Sequence, residues 1–469
     1  MLKDCQELEV STSSHEAVGA IDSFFEQLLS VGNDTQVILK AVDADATCVL
    51  ANAYAAAFYL FSGTSDAVTQ ATDYLNAAKA NLNRANDREK LYVAAIDAWI
   101  RRDIQEAIAH HEAIAEKFKR DLISLHICQY HYRNSGNSEG MLRIAQKVLP
   151  ANGESPYMYG MLAFGLEECH RLTEALEAGR RATQMKHNNR WAHHAVAHVL
   201  ETQGRLEEGI AWMESVCETW EGSNPAFYSH LWWHTALYHL DTEDIGKVLD
   251  IYDTRIWGRA RKENGREQIN AISMLLRLDL RGVDVGSRWQ EIASYLQPRL
   301  HEHIIGFLDL HYIYALVRGG KDDWAKEMLE SMQAYAKNAL PSIQRTWTEV
   351  ALPAARGMIA HAQGNWQRAI AQLEPVLPRL QETGGSHAQR DLFAQVYLDA
   401  LLHAEQNHLA LDLLSKRATA RNNIPAIQRS LGLTYSKLGR TDEANQASRR
   451  ALELSQHYQA SRRQTVVRN

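Results

Sequence analysis

Leu172-Thr173-Glu174-Ala175 and Leu206-Glu207-Glu208-Gly209 hold the same place in two units that lie 34 residues apart. The same step toward the N-terminus reaches Ser138-Glu139-Gly140-Met141, then Ile104-Gln105-Glu106-Ala107. It returns near the C-terminus, from Ala410 to Ala444 in Thr441-Asp442-Glu443-Ala444. Thirty-four residues is the length of a tetratricopeptide helix–turn–helix unit. Such units stack on their neighbours into a curved solenoid with a concave inner face. The sequence therefore predicts an all-α fold, a tetratricopeptide-like α-solenoid of stacked antiparallel helix pairs curled around a concave pocket.

Composition agrees with this class. A globular chain of 469 residues would hold about three domains, but a solenoid escapes that count. Only nine prolines are present, which suits a mostly helical chain because proline breaks helix interiors. The expected connections are short and glycine-bearing: Ser62-Gly63-Thr64-Ser65, Asn134-Ser135-Gly136-Asn137, Gln203-Gly204, Gly319-Gly320-Lys321, Gln363-Gly364-Asn365 and Leu438-Gly439-Arg440. Glycine there suits the left-handed residue that ends one helix before the next turns back. Residues 1–40 read as an N-terminal helical cap, with Ser11 to Ser14 capping a helix from His15. Repeats follow over 41–258 and 259–460, divided softly at Gly258 to Gly265, with a tail at 461–469.

The net charge of −7 argues against nucleic acid as the main partner, which needs a basic face. Arg255, Arg259, Arg261, Lys262 and Arg266 cluster, and they read as a solvated connection between repeats. Five scattered cysteines with no CxxC pair indicate reduced thiols and a cytoplasmic setting. No signal peptide is expected from the polar N-terminus. The most apolar window, Cys48 to Phe61, is too short for a membrane span, so no membrane partner is expected.

The segment 190–201 carries the candidate chemistry. Spacings of three and four put Trp191, His194, His198 and Glu201 on the groove face of one helix, with Ala197 as the small packing residue. In the next unit Trp233 precedes His234, and alignment sets His234 against His194, Tyr238 against His198 and Asp241 against Glu201. The preceding unit offers Tyr157, Gly160, Phe164 and Glu167, where glycine would leave room for a ligand. His193, His239, His110 and His111 read as surface or interface residues. A second group comprises Asp309 and His311, followed by Gly384-Gly385-Ser386-His387-Ala388-Gln389-Arg390-Asp391. There Ser386 is a candidate N-cap, and backbone donors with Arg390 could hold an anion. The bland reading is that these histidines only hydrogen-bond across packed helices.

Together these segments resemble the tetratricopeptide repeat protein 38 family. The resemblance is carried by the helices at 191–198 and 233–238, by Asp253-Thr254, by Asp309-Leu310-His311 and by the turn at 384–391. It implies a soluble all-helical repeat protein and supplies no assigned reaction. By matching position it implies roles for His194, His198, His234, Asp309, His311, Gln389, Arg390 and Asp391. His387 occupies a variable place in the turn motif.

Three functions compete. The first is a module that binds a small molecule or peptide in the groove, where Tyr157, Phe164, Trp191, Glu201, Trp233, Tyr238, Gln389, Arg390 and Asp391 would make contact. The second is an enzyme of hydrolase, lyase or isomerase type, with His194, His198, His234, Asp309 and His311 as catalytic groups. The third is a divalent metal site, zinc first, on His194, His198 and His234. A homodimer is compatible with each.

Overall fold

The computed structural model describes residues 1–63 and 65–468, so Thr64 of the first predicted turn lies outside the described residues. Among those described, 25 α-helices account for the architecture, and the strands are one two-stranded antiparallel ladder, Leu2–Lys3 with Glu9–Val10. The predicted α-solenoid is the fold. Ser14 caps the helix His15–Leu29 by accepting from the Ala17 N–H, as its place before the apolar stripe suggests.

The helix pairs form two layers. The inner helix Pro156–Glu168 buries nearly every residue from Tyr157 to Glu168, whereas its outer partner Leu172–Met185 buries only Ala175, Ala178, Gly179, Ala182 and Thr183. The next pair, Arg190–Thr202 and Leu206–Val216, repeats the contrast. The small residue of the 34-residue period has a direct cause. A Cβ on Gly209 would overlap the Tyr238 ring. One continuous apolar core then runs from Val196 to Tyr458, through Trp233, Tyr252, Leu275, Phe307 and Phe393.

The repeats curl until the far units touch the near ones. Gly136 and Gly204 end their helices at φ +71° and +66°, the left-handed region predicted for them. A Cβ on Gly136 would strike the backbone of Gln381, and one on Gly204 would meet the Asn423 side chain at 2.8 Å. Asn423 Nδ2 also donates to Gly204 O at 2.5 Å. Arg102 donates to His303 O at 3.0 Å and to Tyr335 Oη at 2.8 Å. The last helix, Thr441–Arg468, extends through most of the segment expected to be a tail, and Arg462 donates to Thr242 O at 2.8 Å. Asn469 lies outside the described residues. All five cysteines are free, and no described helix is long and apolar enough to cross a membrane.

Candidate functional site

The histidines of two successive inner helices converge. Arg190–Thr202 supplies His194 and His198, and Pro225–Asp241 supplies His230 and His234. His194 Nε2 lies 3.0 Å from His198 Nε2 and 3.1 Å from His230 Nε2. The His234 ring is centred 4.6 Å from that of His198 and 4.7 Å from that of His230. One ring nitrogen from each of the four fits within 4.8 Å of the others. His194, His198 and His234 are buried and His230 is half-buried. Burial, then the neighbouring imidazoles, holds His194 and His234 well below the ordinary histidine range; the same causes lower His230 to about 3. These three rings are therefore neutral, with a lone pair each to offer.

Polar groups meet the outward nitrogens of three rings. Glu167 Oε2 approaches His198 Nδ1 at 3.2 Å, Glu201 Oε2 approaches His234 Nδ1 at 3.4 Å, and Asn270 Oδ1 lies 3.1 Å from His230 Nδ1. Acceptors on that side favour the Nδ1–H tautomer and leave Nε2 lone pairs facing inward. Metal-binding histidines are oriented by the same outer carboxylate or amide contact. Among the described residues His234 Nε2 has no hydrogen-bond partner and Nδ1 meets the Glu201 carboxylate only at ion-pair distance, a costly state for a buried polar side chain. The donor set fits a divalent transition metal. At a Zn–N distance of about 2.0–2.1 Å, the nitrogens of a tetrahedral site sit about 3.3 Å apart, near the spacings observed around His194.

The curl adds residues from the opposite end of the chain. His387 Nε2 bonds Glu167 Oε1, and its ring centre lies 5.6 Å from that of His198. Burial resists ionisation of Glu167, but His387 and His198 outweigh it and hold the carboxyl well below its usual range. Burial likewise opposes a charge on His387, yet Glu167 pushes that imidazole up to about 9. The anion held at the start of helix His387–His403 is the protein's own: the His387 N–H donates to Glu168 Oε1 at 3.1 Å. Below this lies a cavity of about 100 Å³ lined by Glu201, Asp241, Arg277, Asp391, Arg417 and Arg421. Arg421 reaches Glu201 and Asp241 at 3.3 Å and Asp391 at 3.7 Å, joining both ends of the curl.

The structure brings together some of the residues singled out from sequence and separates others. His194, His198, His234, Glu201, Phe164 and Trp191 share the cluster; the Phe164 and Trp191 rings centre 5.2 and 5.3 Å from His194. Trp233 stacks on His230 at 5.2 Å. Tyr157 turns away, with its hydroxyl on Glu26 at 2.6 Å, and Tyr238 packs between helices with its hydroxyl on Ala197 O at 2.5 Å. Asp309 is held by His303 at 2.7 Å, while His311 packs against Phe307 and Phe393. Asp309 and His311, two residues apart, point to different sides of one helix. Ser386 is the N-cap, and Gln389 completes a capping box with it. Arg390 bonds Gly385 O, and Asp391 is held by Arg417 and Arg421. Gly160 serves helix packing, since a Cβ there would lie 3.3 Å from the Asn189 cap. Sequence reasoning missed His230, although His230 and His234 repeat the spacing of His194 and His198.

Comparison with known proteins gives one local family match and distant structural likenesses. A tetratricopeptide repeat family model matches residues 430–458. A human IFIT1 dimer solved with m7Gppp-AAAA aligns over 96% of each chain at 14% identity, TM-score 0.41. The same human protein with PPP-AAAA aligns over 97% of this chain and 98% of that one at 13% identity, TM-score 0.41. The P58(IPK) tetratricopeptide domain aligns over 81% of this chain and 99% of its own at 12% identity, TM-score 0.23. The chain is a tetratricopeptide-like helical-repeat protein.

Proposed function

We propose that the protein binds a small-molecule or peptidic ligand in its concave face, anchored by a divalent transition metal on His194, His198, His230 and His234. Zinc is the first expectation, since a set of neutral imidazoles suits it. One observation carries the reading: inward Nε2 atoms 3.0 and 3.1 Å apart, backed by Glu167, Asn270 and Glu201 on the outer nitrogens. The ion would act as a Lewis acid toward an electron-rich group of the ligand. The chain's net charge of −7 supports a small ligand over nucleic acid.

The enzymatic alternative draws on His387 and Glu167. A carboxylate-oriented imidazole beside a ligand site is what general acid–base catalysis uses. Cobalt(II) titration of chelator-treated protein tests the metal reading. A saturating visible absorption band at one equivalent, lost in His234→Ala with helicity retained, is the expected result. Absence of that band in the wild type overturns the reading.

A further inference from the structure

Arg133 and Arg266 both approach Tyr130, each guanidinium 5.6 Å from the ring centre. They reach this place from helices Leu122–Asn134 and Gly265–Asp279, more than a hundred residues apart. Tyr130 and His126 are half-buried and Arg266 is exposed, so the spot faces solvent. It also adjoins the histidine cluster. The His126 ring centre lies 6.1 Å from that of Trp191, and Trp191 contacts His194 and stacks on Phe227 at 5.3 Å.

Among the described residues neither guanidinium has a counterion of its own. Four cations of the segment around Arg266 are matched: Arg255 and Arg259 to Glu221 at 3.6 and 3.0 Å, Arg261 to Glu267 at 2.8 Å, and Lys262 to Glu291 at 3.7 Å. Among the described residues Arg266 meets no carboxylate at ion-pair distance, and it is tied only to Tyr130 Oη at 3.4 Å. Arg133 touches Asn134 Oδ1 at 3.5 Å, while its Nε is buried without a partner. The carboxylate whose field reaches Arg133 is Glu168, already engaged by the His387 N–H at 3.1 Å. Two like charges beside one phenol ring, one of them partly desolvated, are mutually unfavourable until an anion bridges them.

We propose that Arg133 and Arg266 form an anion clamp that receives a carboxylate or phosphate group of the ligand, next to the histidine cluster. This names the chemistry of the ligand and rests on reading the concave face as a ligand site. Trp191 and Phe227 would cover the apolar part of the ligand while the guanidiniums bind its charged end. Tyr130 Oη would add a neutral hydrogen bond to the same oxygens.

The test is calorimetric titration of chelator-treated wild-type protein with benzoate and, separately, inorganic phosphate. Working on metal-free protein keeps the result readable even if the metal reading fails. Saturable binding of at least one probe is expected, and which one binds distinguishes carboxylate from phosphate. Arg133→Gln and Arg266→Gln should each weaken it by about tenfold or more, because each removes a charge-assisted contact, while Arg133→Lys retains part of the affinity. Arg266 is exposed, so its variant carries the test if Arg133→Gln fails to fold. No saturable binding of either probe, or unchanged affinity in the glutamine variants, overturns the proposal.

Discussion

Arg421→Ala probes what closes the curl. The Arg421 side chain is 15% exposed and faces Glu201, Asp241 and Asp391. Burial opposes its charge, but Asp241, Glu201 and Asp391 outweigh that cost and hold its pKa above the ordinary range. Asp391 keeps Arg417 at 2.5 Å, and Asp241 keeps Arg281 at 2.7 Å. Glu201, 8% exposed, loses the guanidinium that bonds it. Removing one partner of a buried ion pair costs about 3–5 kcal/mol; with two carboxylates still paired, the lower end, about 3 kcal/mol, is expected here. Urea unfolding followed by far-ultraviolet circular dichroism measures it. Adding Glu201→Gln to the variant should recover a large part of the loss, since the unpaired charge is then gone. A loss below about 1 kcal/mol, the range of exposed pairs, or no recovery in the double variant, refutes the argument that a buried charge network joins the ends.

Other outcomes follow from the same geometry. Gly209→Ala should destabilise by about 1–3 kcal/mol, because its methyl must displace the Tyr238 ring; an unchanged melting temperature would contradict this. Stability should fall as the medium is acidified. Burial lowers His131 to about 3 and His311 to about 4, so the unfolded chain takes up protons from pH 6.5 downward while the fold resists them. The stability these rings contribute is intact above pH 6.5 and is lost between 6.5 and about 4 for His311, on the order of 3 kcal/mol, and between 6.5 and about 3 for His131. Urea midpoints at pH 7 and pH 5 check it, and equal midpoints would count against it. Glu167→Gln should weaken metal affinity about tenfold to a hundredfold, as loss of an orienting carboxylate does. Competition with a chromophoric chelator reads that shift, and unchanged affinity would remove Glu167 from the outer shell.

The helix pairs were legible because the 34-residue period is a local packing demand, repeated wherever a small residue must admit a ring such as Tyr238. The trio His194, His198 and His234 was legible from helical spacing on two adjacent units. His230 aligns with Arg190, ahead of the groove positions of the repeat, so only its i, i+4 relation to His234 marks it in the sequence. His387 could not be weighted correctly from sequence. Its contact with Glu167 spans 220 residues and depends on rotation accumulated over every intervening repeat, which no local motif encodes. Asp309 and His311 lie on different sides of one helix because two residues along a helix is the wrong spacing for sharing a face. Gln389 and Asp391 proved to be held by capping and ion pairing, roles that a turn motif and a ligand contact share at the level of residue type.

Metal content of the purified, untagged protein, measured by plasma mass spectrometry beside His194→Ala and His230→Ala, addresses the central claim most directly. Near one equivalent of zinc or another transition metal in the wild type, lost in both variants, is the predicted result. Wild-type protein without metal, or metal retained in both variants, would contradict the assignment of the four imidazoles as its ligands.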